Sequence, residues 1–178
     1  MKKNHVKIIL QKKLFVNTYY LERYNFLCAK FFKTLIKKIT HLQTYIVRHP
    51  ILRAGKPINT CAFQGDELNT TVHFGYYTQE NLVGVISVFK NSSIFPLENQ
   101  YQIRGMAVLT ALQNQGIGQK LVNFAEQHIA QHNSKPYIIW LNARQNAVSF
   151  YKKLGYHIHD DEFEIESIGI HSLMYKQK

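Results

Sequence analysis

Gln113-Asn114-Gln115-Gly116-Ile117-Gly118 stands between a strand-like stretch, Tyr101 to Leu109, and a helix-like one, Ile117 to Gln131. The helix reading rests on Ile117, Leu121, Val122, Phe124, Ala125 and Ile129, which share one face at a period of 3.6. A strand that enters a helix through such a loop aims several backbone N–H groups, and the positive end of the helix dipole, at one point. That point suits a phosphate or pyrophosphate. Glycine serves there because a Cβ would block close approach, and because such nests use backbone angles that other residues avoid. Lys120, just beyond, adds positive charge.

Two well-known phosphate motifs do not fit. A P-loop needs Gly-Lys followed by Ser or Thr, and this loop continues Gly118-Gln119-Lys120-Leu121. A dinucleotide fingerprint needs a third glycine where Leu121 stands and an acidic residue near Tyr137 to Asn142, which holds none. Two glycines at a helix start are equally compatible with a plain structural turn, so the rest of the chain has to decide.

Upstream, Thr34 to Thr40 alternates like a strand. His41 to Leu52 reads as a helix with Leu42, Tyr45, Ile46 and Val47 as its apolar residues, ended by Arg53-Ala54-Gly55-Lys56-Pro57. Thr60 to Phe63, Thr70 to Tyr77 and Leu82 to Lys90 read as three strands of an antiparallel meander. Downstream, Tyr137 to Asn142 is β-rich, Ala147 to Leu154 is a short helix closed by Gly155, and Tyr156 to Ile158 and Ser167 to Tyr175 supply the last strands. The expected class is α/β with a mixed sheet, without internal repeats or low-complexity tracts.

The 178 residues, 46% of them hydrophobic, suffice for one core. Cys28 and Cys61 match no zinc or redox spacing and read as reduced thiols of a cytoplasmic protein. No apolar run approaches the roughly 20 residues of a membrane span, so neither insertion nor export is expected. Positive charge is concentrated early: residues 1–41 hold ten Lys/Arg and one Glu, against a net charge of +11 for the whole chain. Interleaved with Phe15, Tyr19, Tyr20, Tyr24, Phe26, Phe31 and Phe32, these charges would suit nucleic acid or anionic lipid. A helical arm that covers the domain or a second subunit with its aromatics, its lysines in water, is the favoured reading, with nucleic acid a poorer one. Residues 1–33 are assigned to this extension and 34–178 to the domain.

Four motifs follow one another in order: Arg104-Gly105-Met106-Ala107-Val108-Leu109, then Gln113-x-x-Gly116-x-Gly118, then Trp140-Leu141-Asn142-Ala143, then Asn146-Ala147-x-x-Phe150-Tyr151-x-x-x-Gly155-Tyr156. Together they resemble the GNAT superfamily of N-acetyltransferases. The likeness is strong from about Tyr101 to Tyr156, extends to the strands from Thr34 onward, and is absent for the first thirty or so residues. It implies a GNAT-like, mostly antiparallel central sheet flanked by helices, with acetyl-CoA as co-substrate. It also implies that Met106, Ala107 and Val108 offer backbone groups to the pantetheine arm, flanked by Val108 and Asn146. Gln113 would open the pyrophosphate loop, and Asn114, Gln115, Gly116, Ile117, Gly118 and Gln119 would cradle it.

Tyr151 matches the tyrosine that in many relatives protonates the departing thiolate. A phenol with an ordinary pKa near 10 stays protonated at neutral pH and suits that role. The resemblance further implies direct attack by a neutral amine of a small molecule or peptide, in a ternary complex, with a main-chain N–H near Val108 on the oxyanion. A base or water chain must deprotonate that amine, and Asp66, Glu67, His73, Asp160, Asp161 and His171 are the candidates. Ile168-Gly169-Ile170-His171 resembles a Gly-Ile-Pro-His stretch of some relatives with Ile170 in place of proline. Arg48 and Arg53 are read as solvated, or as partners of an acidic acceptor. The competing expectation is a non-catalytic acetyl-CoA sensor or interaction module that docks through the basic arm.

Overall fold

The computed structural model describes residues 34–93, 95–159, 162–166 and 168–178. The basic arm, Asp160 and Asp161 lie outside them. In chain order the elements are β1 (Thr34–Ile39), α1 (His41–Leu52), β2 (Val72–Thr78), β3 (Asn81–Phe89), β4 (Gln100–Val108), α2 (Ile117–Gln131), β5 (Ile138–Arg144), α3 (Val148–Lys153), β6 (His157–Ile158), β7 (Phe163–Ile165) and β8 (Gly169–Gln177). The eight described strands form one sheet in the order β1-β2-β3-β4-β5-β8-β6, with β7 paired to β8. Every pairing is antiparallel except β4 with β5. The sheet is therefore mixed and mostly antiparallel, as expected.

β3 is buried on both faces, so its run Leu82 to Phe89 is almost continuously apolar rather than alternating. Ile86 and Val88 pack with Leu121, Val122, Ala125 and Ile129 of α2, while Leu82 and Val85 pack with Val47 of α1 on the other face. The amphipathic reading of α2 thus gives its observed buried stripe. α1 buries a different set of residues from its apolar ones. Its buried residues are Thr44, Val47 and Arg48, whereas Leu42 and Ile46 are exposed. Thr40 caps the helix by accepting from the Gln43 amide, and the Gln43 side chain accepts from the Thr40 amide in return.

Arg48 turns inward toward acceptors for both of its Nη groups, while its buried Nε has no partner among the described residues. Its guanidinium donates to both oxygens of Asp66 at 2.6 and 3.2 Å, to the Cys61 carbonyl at 3.1 Å and to Ser87 Oγ at 2.8 Å. It also lies 4.3 Å from the centre of the Phe63 ring. Neither Arg48 nor Asp66 is solvated, which corrects the reading of Arg48 as a surface arginine. The Asp66 carboxylate also accepts from the Phe63 amide at 2.8 Å, and Thr60 Oγ1 donates to the Pro57 carbonyl. These local side-chain bonds compete with a strand ladder. Thr60 to Phe63 accordingly forms the end of a 3₁₀ turn (Ile58–Cys61) and an irregular loop instead of the expected strand.

His73 completes the network. Its Nε2 is 2.8 Å from the Asp66 carbonyl, which can only accept, so Nε2 carries the proton and Nδ1 accepts from Ser87 Oγ at 2.6 Å. That is the neutral imidazole, and burial lowers the His73 pKa from its ordinary 6.5.

The same network touches the sheet at its irregular point. Ser87 pairs with Arg104 and Val85 with Ala107, so Gly105 and Met106 together oppose the single residue Ile86. This β-bulge needs glycine twice over. Gly105 has φ +59°, and a Cβ there would sit 2.6 Å from Arg48 Nε and 2.8 Å from the Phe63 ring. Just before it, β4 parts from β5: their pairing covers only Gln100–Gln102 against Ile138–Trp140, although β4 continues to Val108 and β5 to Arg144. β5 meanwhile stays bonded to β8 through Arg144 and His171.

Removing Arg48 strands a buried carboxylate, so Arg48→Ala should lower unfolding free energy by about 3–5 kcal/mol, measured by urea titration. Because the unfolded chain binds a proton on His73 more readily than the folded one, the His73 contribution to stability is complete above pH ~6.5 and is lost as pH falls below it. Denaturation midpoints from pH 8 to 5 should fall on the acid side, and the slope should be shallower in His73→Gln.

Candidate active site

A cleft of ≈ 750 Å³ opens where β4 and β5 separate. One wall is the edge of β4 from Ile103 to Val108, which has no ladder partner in β5. The opposite wall is Leu141 to Arg144 of β5, the 3₁₀ turn that follows it (Gln145–Ala147), and Phe150 and Tyr151 of α3.

At one end lies the glycine loop. Asn114 has φ +61° and Gly116 φ +76°, two left-handed residues flanking Gln115. Gly116 is the N-cap of α2, with no side-chain cap and no acidic residue in the first turn, and the Lys120 amide makes the first helical bond, to the Gly116 carbonyl. The amides of Ile117, Gly118 and Gln119 therefore lack intrahelical acceptors, the condition under which a helix start binds an anion. The two glycines differ in what requires them. A Cβ on Gly116 would meet nothing within 4 Å, so its backbone angle is the constraint. A Cβ on Gly118 would press to 3.3 Å from the Phe150 ring, so close packing is the constraint there. Gln113 ties the loop back to the strand by donating from Nε2 to the Val108 carbonyl at 2.9 Å.

Among the residues assigned from sequence, Met106, Ala107, Val108, Gln113, Asn114, Gly116, Ile117, Gly118, Gln119, Asn146 and Tyr151 all line this cleft. Gln115 does not; it is exposed, and its side chain reaches the Ala111 carbonyl. Tyr151 is 6% exposed and packs edge-on against Phe150 and Tyr156. Its hydroxyl has no hydrogen-bond partner among the described residues, and burial pushes its pKa well above 10. Lys120 is not in the cleft wall and reaches Tyr76 instead.

The far end of the cleft is formed by Ile51, Leu52 and Arg53 from the end of α1, Phe63, Arg104 on β4, Arg144 on β5, and Ile165, Ile168 and His171. His171 alone of the described base candidates is here. Its Nδ1 donates to the Gly169 carbonyl at 2.7 Å, so in the neutral ring Nε2 keeps a free lone pair. Asp66 and His73 are consumed by the Arg48 network, and Glu67 is exposed beside His41 at 3.6 Å. Arg104 and Arg144 were not singled out from sequence as functional. Arg104 passed as part of a strand motif, and the only signal for Arg144 was its position two residues beyond Asn142 on the same strand face. The hairpin strand β7, which brings Ile165 to the cleft, also went unread: Glu162-Phe163-Glu164-Ile165-Glu166 alternates correctly, but only three residues pair.

Among the described residues, no group of three His, Cys, Asp or Glu is close enough to hold a metal ion, and no helix is long and apolar enough to cross a membrane.

A mixed sheet whose one parallel pair among the described strands parts around a cleft, with an uncapped helix start at one end, defines a binder of an elongated anionic ligand. The comparisons make this specific. A family model described as an acetyltransferase (GNAT) domain matches residues 56–176. The uncharacterized N-acetyltransferase YitI of Bacillus subtilis (strain 168) is 33% identical over 142 residues, spanning 79% of this chain and 94% of that protein. An aminoglycoside 6'-N-acetyltransferase solved in complex with coenzyme A has a TM-score of 0.63 at 16% identity, covering 80% of this chain and 96% of that one. The PaiA N-acetyltransferase of Thermoplasma acidophilum, also complexed with coenzyme A, has a TM-score of 0.58 at 18% identity, covering 82% and 99%. The solved structures share the fold; the family model and the Bacillus relative establish membership. The chain belongs to the GNAT family of acetyltransferases, with acetyl-CoA as co-substrate.

A β-branched residue at the left-handed N-cap costs about 1–2 kcal/mol of loop geometry. Gly116→Val should therefore weaken coenzyme A binding about tenfold by calorimetry, with Gln115→Ala close to wild type.

Proposed function

We propose that this protein transfers the acetyl group of acetyl-CoA to a primary amine of a small molecule or peptide, by direct attack in a ternary complex. The observation that carries the proposal is the single cleft that runs from the glycine loop, along the unladdered edge of β4, to the His171 end. Its two ends are chemically different, as two substrates require.

In this reading the backbone of Met106 to Val108 pairs with the pantetheine arm as another strand would, and Asn146 flanks it. The loop from Gln113 to Gln119 receives the pyrophosphate at the free amides of α2, with Gln115 contributing backbone alone. A main-chain N–H near Val108 stabilises the oxyanion as the amine nitrogen bonds to the thioester carbon. The His171 Nε2 lone pair accepts the amine proton, directly or through water. When the C–S bond breaks, Tyr151 donates its proton to the sulfur. Burial serves this step, because it keeps the phenol protonated and leaves its hydroxyl without a competing partner.

We further assign the transferase domain to residues 34–178, since β1 is hydrogen-bonded into the same sheet, and residues 1–33 to a basic extension. The free, buried Cys61 thiol agrees with a cytoplasmic location.

Tyr151→Phe keeps the ring packing and removes the proton. It should lower kcat about 10²-fold in a thiol-release assay, with coenzyme A affinity unchanged. Equal turnover in the variant would remove Tyr151 from the mechanism.

A further inference from the structure

The far end of the cleft carries positive charge that no carboxylate among the described residues pairs with. Arg53 just past α1, Arg104 on β4 and Arg144 on β5 converge on the same end of the cleft. Arg53 Nη1 and Arg144 Nη2 both donate to one acceptor, the Leu52 carbonyl, at 2.9 and 3.2 Å. Arg53 Nε adds a bond to the Thr60 carbonyl, and Arg104 Nη1 one to the Gln64 carbonyl. The guanidiniums are thus held by neutral main-chain groups, with several N–H donors left over on each. None of the three has a carboxylate partner among the described residues; Asp66 is taken by Arg48. Burial lowers the pKa of both Arg104 and Arg144; at Arg104 the nearby Asp66 charge opposes this while Arg48 and Arg53 add to it, at Arg144 the Arg53 charge adds to it, and guanidinium remains protonated.

No Asp or Glu is among the described residues that line the cleft. Glu162, Glu164 and Glu166 lie close in sequence but are exposed, and Ile165, not its neighbours, faces the cleft. A pocket for a polyamine or another polycation would need the reverse arrangement, carboxylates in place of arginines.

We propose that the acceptor, on the transferase reading above, is an amine that carries its own carboxylate or phosphate, and that Arg144 and Arg53, with Arg104 beside them, hold this oxyanion. Planar guanidiniums match such groups through paired N–H donors. The same charges help the chemistry, because cations near an ammonium lower its pKa and favour the neutral nucleophile. The ammonium loses one proton to His171 or water, its nitrogen bonds to the acetyl carbon, the C–S bond breaks as the thiolate takes the Tyr151 proton, and the second nitrogen proton passes through water to reprotonate Tyr151. The products are an N-acetylated acid and coenzyme A thiol.

The test is thiol release from acetyl-CoA with matched acceptors: phenylalanine against phenethylamine, O-phosphoethanolamine against ethanolamine, and spermidine as the polycation. Expected is a kcat/KM at least about tenfold higher for an anion-bearing member than for its anion-free partner, expressed mainly in KM. In Arg144→Gln that ratio should collapse toward one, and Arg144→Lys should restore part of it. Preference for spermidine or the anion-free amines, or an unchanged ratio in Arg144→Gln, overturns the anion site while leaving the transferase reading intact. A second measurement separates the two ideas: calorimetry of N-acetylphenylalanine and of inorganic phosphate with the coenzyme A-loaded protein. Binding that weakens in Arg144→Gln, without turnover of any amine, upholds the oxyanion site and sinks the transferase reading. Neither binding nor turnover sinks both.

Discussion

The buried pair of Arg48 and Asp66 is the interaction on which the site depends. A guanidinium and a carboxylate withdrawn from water are costly unless their charge and most of their donors and acceptors find partners; of the Arg48 nitrogens only Nε is left without one among the described residues. Here the partners come from the 3₁₀ turn, from β3 and from the face of Phe63, so one ion pair fastens α1, the loop after it and the sheet together. The space the pair occupies lies directly against Gly105, and only a residue without a Cβ can pass there. The bulge at Gly105 and Met106 is where β4 is deflected, and the separation of β4 from β5 begins just before it.

That separation converts structural backbone into binding backbone. A strand in the middle of a sheet normally spends its amides and carbonyls on both neighbours. From Ile103 onward, β4 keeps β3 as a partner and loses β5, which leaves one edge of a central strand accessible in the interior of the fold. An extended ligand can then pair with the sheet without competing for an outer edge. The glycine loop continues the same line, because Gln113 bonds the last strand residue, Val108, and the uncapped start of α2 follows within a few residues.

The two ends of the cleft differ in how they favour anions. At the loop the positive potential is made by main-chain dipoles and is independent of side-chain identity, which is why it suits a cofactor shared across a family. At the other end it is made by the side chains of Arg53, Arg104 and Arg144, which are free to differ between relatives that share the fold. On the anion site proposed above, specificity for the acceptor resides in those positions.

The glycine loop, the amphipathic α2 and the adjacent strands β2 and β3 were legible in the chain because each depends on local periodicity or on residues close in sequence. The four motifs between Arg104 and Tyr156 set family and cofactor together. What could not be read involved partners far apart in the chain. Arg48 looked like a solvated arginine because Asp66 and Ser87, 18 and 39 residues away, are what make its burial tolerable. Leu42 and Ile46 are apolar yet exposed, since apolar character alone does not say which face a short helix turns inward. Thr60 to Phe63 looked like a strand until side chains of the same loop took its backbone bonds. Local sequence determined the fold class and the anion-binding loop, since both follow from short-range backbone geometry. Only tertiary structure decided which charges are neutralised and which face the cleft, because electrostatic pairing depends on distance in space.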